Sequence, residues 1–140
     1  MVEPKPYDEG SGRKRRRPLV LVVDDNPEAQ EALRENLEPA GYDVVVAPNG
    51  RDALALLADQ TAPHLVIVDL LMPVMSGLEL VEVLRSYRRL AQIPVLLVSG
   101  ADCPDDSRVG RARFLRKPIR RTELLDQVAE LLGSRPTTDA

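Results

Sequence analysis

The chain has 140 residues, 44% hydrophobic and 29% charged, with 19 Lys and Arg against 22 Asp and Glu. That balance supports one packed domain and leaves too little chain for two ordinary ones. No apolar stretch approaches the roughly 20 residues that cross a bilayer, the start lacks the apolar middle of a signal peptide, and the expected compartment is the cytoplasm. A single cysteine, Cys103, excludes an internal disulfide and a cysteine zinc cage, and Pro104, Asp105 and Asp106 beside it suggest an exposed turn.

Charge is unevenly placed. Residues 1–18 hold six Lys or Arg and three Asp or Glu, including an unbroken basic run from Arg13 to Arg17. With Pro4, Pro6, Gly10 and Gly12 before it, this composition does not fold alone, so 1–17 is expected to be a disordered leader. The run could bind phosphate backbones or anionic lipid, but without interleaved aromatics or a reading helix it offers no sequence-specific nucleic-acid recognition. Residues 134–140 read as a frayed tail, leaving 18–133 as the domain.

The first element is the continuous apolar run Leu19–Val23, a strand buried on both faces. Asn26 can cap a helix, Pro27 suits its first turn, and Ala29, Leu33 and Leu37 recur at helical spacing until Pro39 and Gly41 end it. A second strand over 44–47 precedes a helix over 50–59 with Ala53, Leu54, Leu56 and Leu57 inward. The third strand, 65–68, is followed by a helix from Gly77 to about residue 87. The fourth strand spans 93–98, the fifth 113–115, and a last helix 121–132 turns Leu124, Leu125, Val128, Leu131 and Leu132 inward. Strands alternating with helices predict right-handed crossovers and a parallel sheet covered on both faces.

Acids and a base stand where those strands end: Asp24 and Asp25 after the first, Asp69 after the third, Lys117 after the fifth. In a parallel sheet these ends share one edge, where α/β folds place ligands. The expected result is an acidic pocket with one cationic wall. Asp24, Asp25 and Asp69 could hold a hard divalent cation such as Mg²⁺, and a phosphoryl group would be the natural ligand. Taken singly, each residue has a plainer reading. The Asp pair could be a cap and its solvated neighbour, with Asn26 a rival cap; Ser99 and Gly100 could be an ordinary turn; Lys117 could be a surface base before proline. Phe114, the chain's one phenylalanine, reads as core when taken alone, and His64 as structural or exposed.

In order and together, these residues resemble the receiver domain of bacterial response regulators. Asp24 and Asp25 match that family's acidic pair, and Asp69 lies 44 residues after Asp25, where the phosphoacceptor stands. Asp69, Met72, Pro73, Met75 and Gly77 match its Asp-x-x-Met-Pro-x-Met-x-Gly loop. Ser99, 30 residues after Asp69, matches the switch hydroxyl, Phe114 the switch aromatic, and Lys117 with Pro118 the Lys-Pro pair. The resemblance implies a flavodoxin-like, doubly wound sheet of five parallel strands in order 2-1-3-4-5 with about five helices, an order the receiver shares with flavodoxin itself. It implies that Asp69 accepts a phosphoryl group from a sensor histidine kinase or histidine phosphotransfer protein. The cofactor implied is Mg²⁺, held by Asp24, Asp25, Asp69 and the Leu71 carbonyl. Lys117 and Ser99 would then contact phosphoryl oxygens, and Lys117–Pro118 is a candidate cis bond.

One departure stands out. Ser99 and Lys117 are 18 residues apart, about four fewer than the family usually has, or roughly one helical turn. The loss falls in the helix between the fourth and fifth strands, where 104–109 has almost no apolar face, so a shortened helix or irregular loop is expected. The functional expectation is a stand-alone phosphoreceiver with slow autodephosphorylation that signals to an unknown downstream protein by changing shape. The alternatives are a degenerate receiver acting as a phosphorylation-independent interaction module, and a Mg²⁺-dependent phosphohydrolase. The last is disfavoured by Leu71, which stands where a second catalytic Asp would follow Asp69.

Overall fold

The computed structural model describes residues 17–59 and 62–133. Most of the basic leader and all of the C-terminal tail expected from composition lie outside the described residues. Five strands, β1 (Leu19–Val23), β2 (Asp43–Ala47), β3 (Leu65–Asp69), β4 (Val95–Ser99) and β5 (Arg113–Arg116), alternate with α1 (Pro27–Leu37), α2 (Gly50–Ala58), α3 (Gly77–Ser86) and α4 (Arg121–Leu131). All pairings are parallel and the order is β2-β1-β3-β4-β5. This is the flavodoxin-like architecture the sequence predicts.

Local chemistry sets the helix starts. Asn26 caps α1, its Oδ1 accepting the Glu28 and Ala29 N–H groups at 2.7 and 3.2 Å, and Pro27 occupies a first-turn position where no N–H is needed. Ser76 and Glu79 form a reciprocal capping box on α3. Asn49 caps α2 through the Asp52 N–H. β4 starts two residues later than the apolar run suggested. Pro94 has no N–H to give a ladder, although its carbonyl accepts the Val66 N–H at 3.1 Å.

β1, β3 and β4 are buried throughout, as expected for central strands sandwiched between helices. Their side chains divide between two cores. One packs Leu21, Val23, Val66, Val68 and Leu97 against α2 and α3. The other packs Val20, Val22, Ile67, Leu96 and Val98 against Leu33 and Leu37 of α1 and Leu124 and Val128 of α4. His64 is structural, its Nδ1 accepting the Leu19 N–H at 3.0 Å.

Four α-helices are present among the described residues rather than five. Between β4 and β5 stands a single 3-10 turn, Ser107–Val109. Asp106 caps it and is gripped by its own neighbour: the Arg108 guanidinium and N–H hydrogen bond to the Asp106 carboxylate and hold its pKa down to about 2. A turn this short cannot bury a face of its own. α3 compensates, because Arg85 reaches across to donate to the Arg108 and Val109 carbonyls at 2.7 and 3.0 Å.

Candidate functional site

Register brings the predicted residues to one edge. Val23 pairs with Val68, Asp69 with Val98, and Ser99 with Arg116, so the residues that follow β1, end β3 and β4, and follow β5 stand side by side. Asp24, Asp69 and Ser99 are buried, with 1%, 7% and 1% of their surface exposed. Asp25 is exposed and Lys117 is partly covered.

Asp24 is fixed from several sides. Its N–H donates to the Ala47 carbonyl at 3.1 Å, its Oδ1 accepts the Asn26 N–H at 2.9 Å, and its own carbonyl accepts Gln30 Nε2 at 2.7 Å. Gln30 carries no sequence signal of its own; only its place one turn into a helix that starts beside Asp24 could have suggested it. Asp69 Oδ1 accepts the Leu71 N–H at 3.3 Å. Lys117 Nζ lies between the two buried acids, 3.5 Å from Asp24 Oδ2 and 3.8 Å from Asp69 Oδ2. Asp24, Asp25 and Asp69 each offer a carboxylate oxygen, all within 4.8 Å of one another.

Such crowding has an electrostatic cost. Burial pushes the Asp69 carboxyl above its ordinary pKa; Lys117 pulls it back, Asp24 and Asp25 push it further up, and the Leu71 N–H lowers it. A cation among the three acids would relieve this repulsion. The set fits a hard divalent ion, which takes carboxylate oxygens and keeps waters.

The remaining predicted residues divide between site and support. Ser99 Oγ accepts the Ala101 N–H at 3.1 Å, and the Ser99 carbonyl accepts the Lys117 N–H at 2.8 Å, tying the base to the end of β4. The Lys117–Pro118 bond is cis. Leu71 sits at the pocket but turns its side chain to solvent, 70% exposed. Phe114 is not in the pocket; it is half-buried on β5 against the core shared with α2 and α3.

The loop after Asp69 is built to a tight tolerance. Gly77 opens α3 so close to β3 that a Cβ there would lie 2.6 Å from the Asp69 carbonyl oxygen and 2.9 Å from Leu70 Cα. Met72 is buried, and Met75 packs so closely on Gly50 that a Cβ on that glycine would lie 2.7 Å from the Met75 sulfur. Between them the chain makes a γ-turn, the Met75 N–H donating to the Pro73 carbonyl at 2.7 Å with Val74 at φ 73°.

Comparison with known proteins agrees with this geometry. The family profile described as "Response regulator receiver domain" matches residues 20–129. The protein PilG of Pseudomonas aeruginosa is 31% identical over 125 residues, covering 86% of this chain and 92% of PilG. The sensor histidine kinase TmoS of Ectopseudomonas mendocina is 38% identical over 129 residues, 88% of this chain but 13% of the kinase. The chain therefore spans nearly all of some relatives and a small part of others. Among solved structures, the response regulator TrrA of Thermotoga maritima, in complex with Mg²⁺ and BeF, has a TM-score of 0.74 at 31% identity, covering 81% of this chain and 98% of TrrA. With the fold, the acidic pocket and these matches in agreement, the chain belongs to the response regulator receiver family.

Proposed function

We infer that the chain is a phosphoreceiver of a histidine-to-aspartate relay, with Asp69 as the acceptor. The observation that carries this reading is a buried carboxylate at a strand end, flanked by two more acids and faced by Lys117 at 3.8 Å. Asp24, Asp25, Asp69 and the Leu71 carbonyl are the residues that would hold Mg²⁺. The ion would supply charge neutralisation for the phosphoryl oxygens.

Asp69 would attack the phosphorus of a partner's phosphohistidine. The new O–P bond forms an acyl phosphate as the P–N bond breaks, and the electron pair leaves on the imidazole nitrogen, which takes up a proton. Lys117, already held beside Asp69 by its backbone bond to Ser99, would neutralise a phosphoryl oxygen. The Ser99 hydroxyl can keep accepting the Ala101 N–H and still donate its own proton to another oxygen, since a hydroxyl does both. Burial leaves the ionised Asp69 poorly solvated, which suits a nucleophile.

The partners of this reading are a sensor histidine kinase or histidine phosphotransfer protein and a downstream protein. Its setting is the cytoplasm, with 18–133 as the working domain. Among the described residues no helix is long and apolar enough to cross a membrane.

Treatment with acetyl phosphate and Mg²⁺ tests the reading. One phosphoryl group should appear by intact mass, and Asp69→Asn should acquire none. A label on the Asn variant at another residue would remove Asp69 from the role. No label on the parent chain would favour a phosphorylation-independent module, and sustained phosphate release would favour a hydrolase.

A further inference from the structure

Of the three acids in the pocket, Asp25 is the one whose own side chain is not tied down. Asp24 and Asp69 are buried, and the carboxylate of each accepts a backbone N–H. Asp25 is exposed, and its carboxylate makes no hydrogen bond or ion pair among the described residues. Yet it lies close enough to offer an oxygen within 4.8 Å of those of the other two. Something other than its own contacts must hold it there.

The two peptide groups on either side of its Cα supply the hold. The group before it is pinned by its carbonyl, since the Asp24 C=O accepts Gln30 Nε2 at 2.7 Å. The group after it is pinned by its N–H, since the Asn26 N–H donates to Asp24 Oδ1 at 2.9 Å. Peptide groups are planar, so φ and ψ of the residue between them are the backbone's remaining freedom. Fixing both planes fixes the direction in which the Asp25 side chain leaves the chain. One of these two bonds is made by a carboxylate of the pocket itself; the other comes from Gln30, near the start of α1 and outside the acidic trio.

We propose that Gln30 is a positioning residue for the metal site: by holding the peptide plane between Asp24 and Asp25 it keeps the Asp25 carboxylate turned toward Asp24 and Asp69. This rests on the reading of the trio as a Mg²⁺ site and adds to it a residue that touches neither the ion nor the phosphoryl group. Glutamine suits the task. Its amide donates without carrying charge, so it secures a carbonyl beside a cation site without repelling the cation as lysine or arginine would. Mg²⁺ demands near-octahedral geometry, so a ligand that swings away is felt directly in affinity.

The test is calorimetric titration of the full chain with MgCl₂, without a phosphodonor. Gln30→Met keeps the length of the side chain and suits a helix but removes the donor. Its Mg²⁺ dissociation constant should rise about tenfold, as expected when the partner of a metal ligand is lost. Asn36→Met, which takes an amide from the same helix farther from the pocket, should leave it unchanged. In acetyl phosphate labelling of Gln30→Met, the Mg²⁺ concentration for half-maximal rate should rise by the same factor, with the rate at saturating Mg²⁺ retained. A bond that only steadies the helix would instead lower the metal-free melting temperature and leave the dissociation constant alone. Equal affinity in the parent and Gln30→Met overturns the proposal and leaves the metal reading standing, as does an equal loss in Asn36→Met. A lower saturated labelling rate with unchanged affinity overturns it too, because Gln30 would then act on the transfer step. A parent chain that binds no Mg²⁺ overturns the metal reading and this proposal with it.

Discussion

The acidic pocket and the connection from β4 to β5 are held by different means. The pocket is held mainly by backbone, through parallel register and the direct contact of Gly77 with β3, with short side-chain caps at the starts of α1 and α3. The connection is held by a side chain, Arg85, reaching from α3 to two carbonyls. Backbone ladders fix atoms closely, whereas one long exposed side chain can release and rebind. The chemistry therefore sits on the part fixed by ladders.

Equivalent substitutions at two glycines would sharpen this contrast. At Gly77 an added methyl meets backbone atoms that cannot move without shifting Asp69, so Gly77→Ala should cost about 3 kcal/mol and impair phosphorylation as well. At Gly110 the added methyl meets the Arg85 guanidinium at 2.5 Å, the far end of a flexible side chain, and the φ of 54° adds strain. Gly110→Ala should cost about 2 kcal/mol, with acetyl-phosphate labelling retained. Chemical denaturation with intact-mass labelling checks both. Equal loss of labelling in the two variants would break the distinction between the regions.

Much of this contrast was legible in the sequence. Leu19–Val23, 65–68 and the later apolar runs announced buried parallel strands because strands covered on both faces need apolar residues at every position. The acids and lysine that follow them could then be placed on one edge. The missing helix was legible as a deficit in length and in apolar residues. What replaced it was not: Arg85 lies 23 positions before the first carbonyl it holds, and no local pattern marks such a pairing. The closeness of Gly77 to β3 was likewise invisible, because the sequence shows a helix-opening glycine without showing what it touches.

Removing the strap should have a smaller effect than either glycine. Arg85→Ala loses two hydrogen bonds to carbonyls at a partly solvated site, a cost of about 1 kcal/mol. Hydrogen exchange across 107–112 should accelerate while that of β1, β3 and β4 stays unchanged. An unaltered exchange pattern at 107–112 would mean that packing of Val109 and Ala112, rather than the arginine, holds the segment.

The Asp69 carboxyl gives a test by pH. Its pKa is raised in the fold, so folding favours the protonated form; its stabilising contribution is complete below the ordinary carboxylate range and is lost as pH rises through the raised value. Asp69→Asn removes that loss. The variant should melt above the parent at neutral pH, and the gap should narrow as the pH falls into the carboxylate range. Mg²⁺ should raise the parent's melting temperature more than the variant's. A gap that stayed constant across pH would show that the Asn variant gains from packing instead of from charge.

The smallest effect expected is at Val74, where the pocket's own loop departs from the tidy backbone around it. A β-branched residue at φ 73° is costly, by about 1–2 kcal/mol on general steric grounds. With 76% of its surface exposed, the side chain recovers little of this by packing. Glycine adopts the same φ freely but loses more conformational entropy on folding, an opposing term of up to about 1 kcal/mol. Val74→Gly should therefore stabilise the chain by about half a kcal/mol, the residue left when those two terms are set against each other. A clear destabilisation would mean that the valine side chain holds the γ-turn in place. The labelling of Asp69 in the same variant would then report whether the turn's shape reaches the carboxylate: a slower reaction with unchanged stability would make this loop part of the phosphoacceptor's support.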